Sequence, residues 1–169
     1  MKLVSPSDIN EKEFNEFIAE FISAKEPFVP YSLNQNGKTF QEYVVSLNDE
    51  SIGKGIPEGW VPATTCFLVN EEGKIYGAVN IRHRLTDNLK IEGGHIGYGI
   101  RPSARNRNYG TTILKLGLEI LKKMGILKVL VTCDRENINS ARVIQKNGGK
   151  LDSEIEKDRK IFQRYWIEL

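Results

Sequence analysis

The stretch "RPSARNRNYGTTIL", Arg101 to Leu114, links a β-rich segment to a segment with helical periodicity. The β-rich segment, "HIGYGIRP", ends at Pro102, which cannot donate to a strand ladder. The first turn of a helix exposes unpaired backbone N–H groups and carries the positive end of the helix dipole. A strand, a short loop and a helix in this order therefore predict an anion site at the start of the helix.

Four residues of the stretch favour a phosphate or pyrophosphate as the anion. Arg105 and Arg107 supply positive charge, and Gly110 lets a ligand approach the backbone. Asn108 is one of the few residues besides glycine that adopt left-handed backbone angles at low cost. The alternative is that the arginines are solvated and Gly110 serves only a turn. The stretch has neither the GK[ST] of a P-loop nor the GxGxxG of a dinucleotide site.

The residues before this stretch predict two helices and then strands. A short strand "KLV" precedes a helix capped by Ser7 or Asp8, and a second helix runs from Thr39 to about Leu47. The runs "TTCFLVN" and "IYGAVNIRHRL" predict a hairpin, and "HIGYGIRP" a third strand of the same type. "NLKIEGG" is interpreted as a loop.

The residues after the stretch predict a helix, a buried strand, a shorter helix and a closing hairpin. The first helix has an apolar face made of Ile113, Leu116, Gly117, Ile120, Leu121 and Met124. "LKVLVTCD" is a near-continuous apolar strand. A helix from about Asn139 to Lys146 ends at Gly148 and Gly149, where a positive φ would stop it. "KLDSEI" and "KIFQRYWIEL" form the hairpin.

Composition predicts one soluble domain over residues 1–169, with 40% hydrophobic and 27% charged residues. A formal net charge of +2 gives no electrostatic reason to expect a nucleic-acid or membrane partner. We expect a cytoplasmic protein, because no run resembles a signal peptide or a membrane helix. Cys66 and Cys133 lie in apolar runs without CxxC spacing, which predicts buried thiols and no metal site. A homodimer is left open.

The run "IRPSARNRNYGTTIL" resembles the pyrophosphate-binding motif of the GNAT superfamily of acyl-CoA N-acyltransferases, Q/R-x-x-G-x-G/A after a strand. Arg105 takes the Q/R position, Asn108 the first glycine and Gly110 the second. Downstream, "NINSARVIQKNGG" resembles the superfamily's next motif, N-x-x-[A/S] leading into a helix and ending near G-F, and Asn137, Ser140 and Gly148 match it. The resemblance covers residues 63–169 in element order.

Two positions depart from the second motif. Ile144 stands where a tyrosine is common in the superfamily, and Gly149 stands where a phenylalanine is common. The superfamily's tyrosine protonates the leaving thiolate. Its absence here leaves Tyr98, Tyr109 or water as the candidate proton donor.

The resemblance implies an α/β (α+β) fold in which a mixed, mostly antiparallel sheet is flanked by helices and splayed between strands four and five. It implies acetyl-CoA as the cosubstrate, without a metal, held by Ile100, Arg105, Arg107, Asn108, Tyr109, Gly110, Thr111, Thr112, Asn137 and Ser140. Backbone N–H groups from Arg107 to Thr112 would hold the pyrophosphate. Gly97 and Gly99 fit the splayed strand, because glycine in a strand often marks a bulge or a close backbone approach.

Transfer of an acyl group to an amine needs a base for the amine, a donor that polarises the thioester carbonyl and an acid for the thiolate. A backbone N–H near Ile100 is the candidate donor. His95 is the first candidate base, because it lies on the strand that lines the acceptor side in the superfamily and imidazole titrates near neutrality. A structural histidine is the alternative. His83 and Glu92 are the runners-up for the base, and both have solvation as their simpler interpretation.

The resemblance implies an N-acetyltransferase that moves an acetyl group from acetyl-CoA directly to an amine of a small molecule or a protein. Its catalytic candidates are His95 and Tyr98. The alternative function is a catalytically silent acyl-CoA-binding module with a regulatory or interaction role. Phe28, Tyr31 and Trp60, in the early loops, are candidate walls of the acceptor pocket.

Overall fold

Seven strands form two separate sheets in the computed structural model, which describes all residues from Met1 to Leu169. The first sheet has the order β1-β2-β3-β4 and the second the order β5-β7-β6. Their bounds are β1 Lys2–Val4, β2 Ala63–Val69, β3 Ile75–Arg82, β4 Ile96–Ile100, β5 Lys128–Asp134, β6 Lys150–Lys157 and β7 Lys160–Glu168. β4 and β5 share no ladder, which confirms the predicted splay between strands four and five.

Every strand pairing is antiparallel, in agreement with the mostly antiparallel sheet that was predicted, and no parallel pair is present. Five helices surround the strands: α1 Glu11–Ser23, α2 Phe40–Ser51, α3 Asp87–Ile91, α4 Tyr109–Lys123 and α5 Ile138–Lys146. Single 3-10 turns lie at Pro6–Asp8, Tyr31–Leu33 and Pro102–Ala104. None of the helices is both long and apolar enough to cross a lipid bilayer.

The helices differ from the prediction in three places. Asn10, not Ser7 or Asp8, caps α1, and its side-chain oxygen accepts from the backbone N–H of Lys12 at 2.8 Å. The segment assigned to a loop holds the short helix α3, because the Thr86 side chain caps it. α2 is capped by Thr39 as predicted but runs on to Ser51.

The two faces of the first sheet belong to two separate cores. Strand side chains alternate between faces, so Val79 and Ile81 pack with α4 while Phe67 and Ala78 pack with α1 and α2. Cys66 and Cys133 are free and buried, as predicted, and burial raises the pKa of each thiol to about 11.

Arg101, directly after β4, is a buried charge that joins α1 to the sheet. Its Nη1 atom donates to Glu13 Oε1 at 2.9 Å and to the Ile75 carbonyl at 2.8 Å. Its Nε atom lies 2.8 Å from Glu20 Oε1. Because both carboxylates come from α1, the end of β4 is fixed relative to that helix, at the point where the loop of Arg105 to Thr111 begins.

Candidate active site

The loop before α4 presents a row of unpaired N–H groups. Asn106 and Asn108 have φ values of 61° and 63°, so the backbone turns sharply twice within three residues. The N–H groups of residues 106–111 donate to no protein acceptor, and the first helical bond runs from Thr112 N–H to the Asn108 carbonyl at 3.1 Å. Successive N–H groups in such turns form an anion-binding concavity. The predicted left-handed geometry of Asn108 is confirmed.

A cleft of about 580 Å³ opens in front of these N–H groups. Its walls are formed by the edge of β4, the start of α4, the exposed face of α5 and three loop residues, Glu26, Pro27 and Val29. Predicted site residues that line it are Tyr98, Ile100, Arg105, Asn108, Tyr109, Gly110, Thr111, Asn137 and Ser140. His95, Arg107 and Thr112 do not line it.

The positive charge of the cleft does not come from the arginines that the sequence singled out. Arg105 is paired through both terminal nitrogens with the Glu26 carboxylate, with an Nη1–Oε1 distance of 2.7 Å, and its Nε atom donates to the Ile100 carbonyl at 3.2 Å. Hydrogen bonding to Arg105 lowers the pKa of Glu26, so this pair stays ionised. Arg107 projects into solvent, and the Thr112 N–H is used inside the helix.

Two cations that the sequence analysis missed lie in the cleft wall. Arg142 and Lys146 of α5 line it and form no ion pair. Their spacing of four residues places both on one face of the helix. That spacing was the available signal, combined with the position of Asn137, whose side-chain oxygen caps α5 by accepting from the Ser140 N–H at 3.0 Å.

The outer edge of β4 carries unpaired backbone groups. The Arg101 N–H donates to the Tyr76 carbonyl, and the His95 carbonyl accepts from the Arg82 N–H. Pairing alternates along an antiparallel ladder, so Gly97 and Gly99 also face β3, whereas the backbone groups of the intervening residues point away from it. The N–H groups of Tyr98 and Ile100 therefore face the side on which β4 separates from β5.

The Tyr98 side chain lies between α4 and α5. Its hydroxyl is 3.1 Å from the Ser140 hydroxyl, and its ring lies 3.8 Å from the position of a β-carbon on Gly110. Burial raises the pKa of Tyr98 to about 12, although the hydrogen bond to Ser140 lowers it, so the hydroxyl keeps its proton at neutral pH. A half-buried proton donor thus borders the edge of β4.

His95 links β4 to β5 and lies outside the cleft. Its N–H donates to the Leu130 carbonyl at 2.8 Å, and the Leu130 N–H donates to Nδ1 at 2.9 Å. Burial and the nearby charge of Arg82 lower the pKa of His95, so the ring is neutral. Because Nδ1 accepts a hydrogen bond, the proton of the neutral ring is on Nε2. This geometry opposes the predicted role of general base.

The runner-up bases are also engaged elsewhere. His83 Nε2 is 2.8 Å from the Thr64 hydroxyl, and burial lowers the pKa of His83. Glu92 is exposed and pairs with Lys157 at 2.9 Å. Ile144 of α5, the position aligned with the superfamily's tyrosine, does not line the cleft. Its side chain is fully buried in the core that also contains the apolar face of α4.

The two glycines of β4 differ in their surroundings. A β-carbon on Gly99 would lie 1.9 Å from the Val29 carbonyl oxygen, so the loop after α1 rests directly on the strand there. Around Gly97 the nearest atom would be 3.5 Å away. The predicted close approach is confirmed at Gly99 and is wrong at Gly97.

The aromatic residues of the early loops also differ from one another. The Phe28 ring packs on Phe21 at 6.2 Å between ring centroids, next to the α1 core. Tyr31 and Trp60 are exposed and lie 6.0 Å apart. Phe28 is only partly buried, so Tyr31 and Trp60 are the more exposed of the three.

Comparison with known proteins agrees with this geometry. The family model of the acetyltransferase (GNAT) domain matches residues 2–150. No curated protein matches the chain.

Solved structures of similar fold cover nearly the whole chain. A ribosomal-protein-S5-alanine acetyltransferase from Vibrio fischeri has a TM-score of 0.70 at 14% identity over 99% of this chain and 91% of that one. A ribosomal L7/L12 alpha-N-protein acetyltransferase in complex with coenzyme A has 0.66 at 12% identity over 99% and 92%. A spermidine N-acetyltransferase from Vibrio cholerae has 0.62 at 10% identity over 99% and 93%. With a family model that spans most of its length, the chain belongs to the GNAT acetyltransferases and is an acyltransferase.

Proposed function

We propose that this chain transfers an acetyl group from acetyl-CoA to an amine. The observation that supports the proposal most is the row of unpaired N–H groups at residues 106–111, which opens into the cleft beside Arg142 and Lys146. Backbone donors at a helix start, with two cations opposite, suit a pyrophosphate. The residues present therefore fit the coenzyme A part of acetyl-CoA, whose thioester supplies the acetyl group.

The edge of β4 orients the rest of the cosubstrate. The N–H groups of Tyr98 and Ile100 face the opening between the sheets, and one of them polarises the thioester carbonyl. Arg105 holds the Ile100 carbonyl through its Nε atom, and Glu26 holds Arg105. This network fixes the end of β4, so the donor is in place before the reaction.

Tyr98 is the proton donor in this proposal. Its hydroxyl is protonated at neutral pH and stands beside Ser140 at the cleft wall. When the bond between carbonyl carbon and sulfur breaks, the hydroxyl gives its proton to the thiolate, and solvent restores it through the cleft. Ile144 cannot serve, because its aliphatic side chain has no acidic proton and lies in the core.

The acceptor class is an amine. The three solved relatives described above act, by their names, on an alanine of ribosomal protein S5, on the α-amine of ribosomal protein L7/L12 and on spermidine. These suggest two kinds of acceptor, a peptide α-amine and a polyamine. Both are primary amines that must lose a proton before attack.

A melting experiment tests cosubstrate binding. Coenzyme A at 100 times its dissociation constant adds about 2.7 kcal/mol of stability, which raises Tm by roughly 5–10 °C for a chain of this size. Desulfo-CoA raises Tm equally, because the anchor is the pyrophosphate. Gly110→Val abolishes the shift, since its β-carbon meets Val143 at 3.2 Å and the larger side chain fills the cleft. Thr112→Val, outside the cleft, keeps it; equal shifts in both variants would contradict the site.

Thiol release then separates an enzyme from a silent module. The protein is incubated with acetyl-CoA and an N-terminal alanine peptide, spermidine or n-butylamine, and free thiol is measured. Amine-dependent release by at least one acceptor supports the proposed function. A CoA shift with no release from any amine supports the silent acyl-CoA-binding module.

A further inference from the structure

A hydrogen bond joins β4 to α5 in the wall of the cleft. The hydroxyls of Tyr98 and Ser140 lie 3.1 Å apart, although the two residues are 42 positions apart in the chain, and both residues line the cleft. Ser140 is the third residue of α5, and its backbone N–H donates to the capping oxygen of Asn137 at 3.0 Å. Because this cap holds the first turn of α5, the Ser140 hydroxyl has a fixed place beside the tyrosine.

The Ser140 hydroxyl does not bond to its own helix. A serine inside a helix commonly donates to a carbonyl three or four residues earlier, as Ser46 of α2 does to the Tyr43 carbonyl at 2.8 Å. The Ser140 hydroxyl makes no such bond, and its oxygen partner is the Tyr98 hydroxyl of another element. The side chain is therefore directed across the cleft wall and not along the helix.

The titratable neighbour of this pair on β5 is a neutral thiol. Cys133, near the end of β5, belongs to the core on which Tyr98 packs. Burial raises the pKa of Cys133 to about 11, although a hydrogen bond from Ser140 lowers it, so the thiol is uncharged at neutral pH. A neutral thiol is a weak acceptor, so the Tyr98 oxygen is the stronger acceptor for the Ser140 proton.

The direction of the hydrogen bond between Tyr98 and Ser140 decides where the Tyr98 proton points. A tyrosine hydroxyl has one proton, and a proton donated to Ser140 is not available to another acceptor. When Ser140 is the donor, the Tyr98 proton can point into the cleft. Hydroxyl hydrogens rotate to suit their partners, so the pair reaches this second arrangement without moving either residue.

We infer that Ser140 is a positioning residue for proton return: its hydroxyl donates to the Tyr98 oxygen and so turns the Tyr98 proton towards the sulfur of the cosubstrate. The inference rests on the proposed function, because a proton donor is needed only if a thiolate leaves. The Tyr98 O–H bond breaks, an S–H bond forms on coenzyme A, and the negative charge passes from sulfur to the phenolate oxygen. Ser140 keeps its own proton and stabilises that charge. The proton that the amine loses goes to solvent, and solvent returns one to Tyr98.

Ser140→Ala tests whether the hydroxyl affects the rate and not the binding of substrates. A hydrogen bond to a charged group is strong enough for a rate effect of about 10- to 100-fold. Ser140→Ala therefore lowers kcat by this factor and keeps both the KM of the amine and the CoA-induced rise in Tm. Ser46→Ala is the matched control, because it removes a helical hydroxyl that does not line the cleft, and it keeps parental kcat. Parental kcat within about threefold in Ser140→Ala, or loss of the rise in Tm, overturns the inference.

A double-mutant cycle separates action through Tyr98 from a structural effect of Ser140. In the Tyr98→Phe background the Ser140 hydroxyl has no oxygen to donate to, so Ser140→Ala changes kcat there by less than about twofold. A loss of the same size in both backgrounds overturns the inference, because Ser140 then acts independently of Tyr98. Parental kcat in Tyr98→Phe also overturns it and leaves the proposed acetyl transfer intact.

The contact itself is measurable without turnover. In protein labelled with ¹³C at Cζ of its six tyrosines, the Tyr98 signal is the one missing from Tyr98→Phe. Ser140→Ala shifts this signal and Ser46→Ala does not; an unmoved signal in Ser140→Ala overturns the inference. A parent that shows neither a CoA-induced rise in Tm nor thiol release overturns the proposed function and this inference with it.

Discussion

His95 and Leu130 are joined by two hydrogen bonds, one from main chain to main chain and one from main chain to side chain. The His95 N–H donates to the Leu130 carbonyl at 2.8 Å, and the Leu130 N–H donates to the His95 ring at 2.9 Å. If the ladder between β4 and β5 continued, a backbone carbonyl would accept the Leu130 N–H. Here the imidazole of His95 accepts it instead. β4 and β5 meet at this pair and separate beyond it, which creates the opening that we propose for the cosubstrate.

Replacing His95 with alanine should lower stability more than it lowers catalysis. The change leaves the buried Leu130 N–H without an acceptor, which costs about 1–3 kcal/mol. Urea unfolding should show this loss, while kcat of the CoA-saturated enzyme changes little. His83→Ala is the control, because its partner, the Thr64 hydroxyl, can bind water instead. A His95→Ala enzyme of parental stability with kcat reduced a hundredfold would restore His95 as the base.

Stability should fall as the pH drops below about 6.5, the unperturbed histidine value. Burial, followed by the charge of Arg82, lowers the pKa of His95, and burial lowers that of His83. Below this pH the unfolded chain therefore binds more protons than the folded chain, so the free energy of unfolding decreases with falling pH. Unfolding between pH 7.5 and 5 measures the slope. The slope should be smaller in His95→Ala; an equal slope would contradict a neutral, buried ring.

Gly99→Ala should lower stability much more than Gly97→Ala, although the two positions are only two residues apart. A β-carbon at Gly99 would lie 1.9 Å from the Val29 carbonyl oxygen, so the loop after α1 must move. Overpacking of this kind costs about 1–3 kcal/mol or more, and CoA affinity should fall because Val29 lines the cleft. At Gly97 the nearest atom is 3.5 Å away, and alanine should change stability by less than about 1 kcal/mol. Thermal unfolding distinguishes the two; equal losses would contradict the packing described.

Local features were predictable from the sequence, and long-range pairings were not. Asn108 and Gly148 have the expected positive φ, because backbone angles depend on the residue itself and its neighbours. The pairing of Arg105 with Glu26 joins residues 79 positions apart, and no local pattern announces it. Charge placement in the cleft therefore had to be corrected by the structure.

Charge removal on α5 should weaken CoA binding more than charge removal in the loop. Arg142 and Lys146 line the cleft, whereas Arg107 projects into solvent. Arg142→Gln and Lys146→Gln should each raise the Kd of CoA roughly three- to tenfold at low salt. Arg107→Gln should change it by less than about twofold. Calorimetric titration at two salt concentrations measures this, because screening should shrink the α5 effects. A larger effect of Arg107→Gln would contradict this assignment and would show that the loop side chain binds the phosphates.

Tyr98→Phe and Tyr109→Phe form the matched pair that tests the proton donor. Both rings line the cleft, but only the Tyr98 hydroxyl forms a side-chain hydrogen bond, with Ser140. The Tyr109 ring packs on Tyr76, with 4.7 Å between the ring centroids. Loss of a positioned acid costs about 10²- to 10⁴-fold in rate, so Tyr98→Phe should lower kcat and leave CoA affinity unchanged. Tyr109→Phe should leave both near parental values.

A tyrosine at position 144 tests whether a hydroxyl there could replace Tyr98 as the proton donor. Ile144 is fully buried, and its side chain lies 2.5 Å from the position of a β-carbon on Gly149. Ile144→Tyr should therefore destabilise the fold by about 1–3 kcal/mol or more and should not restore the rate lost in Tyr98→Phe. A faster double variant would place the two hydroxyls at the same proton and contradict the buried position of Ile144. Parental kcat in Tyr98→Phe would assign proton return to water, because the thiolate would then leave without a side-chain acid.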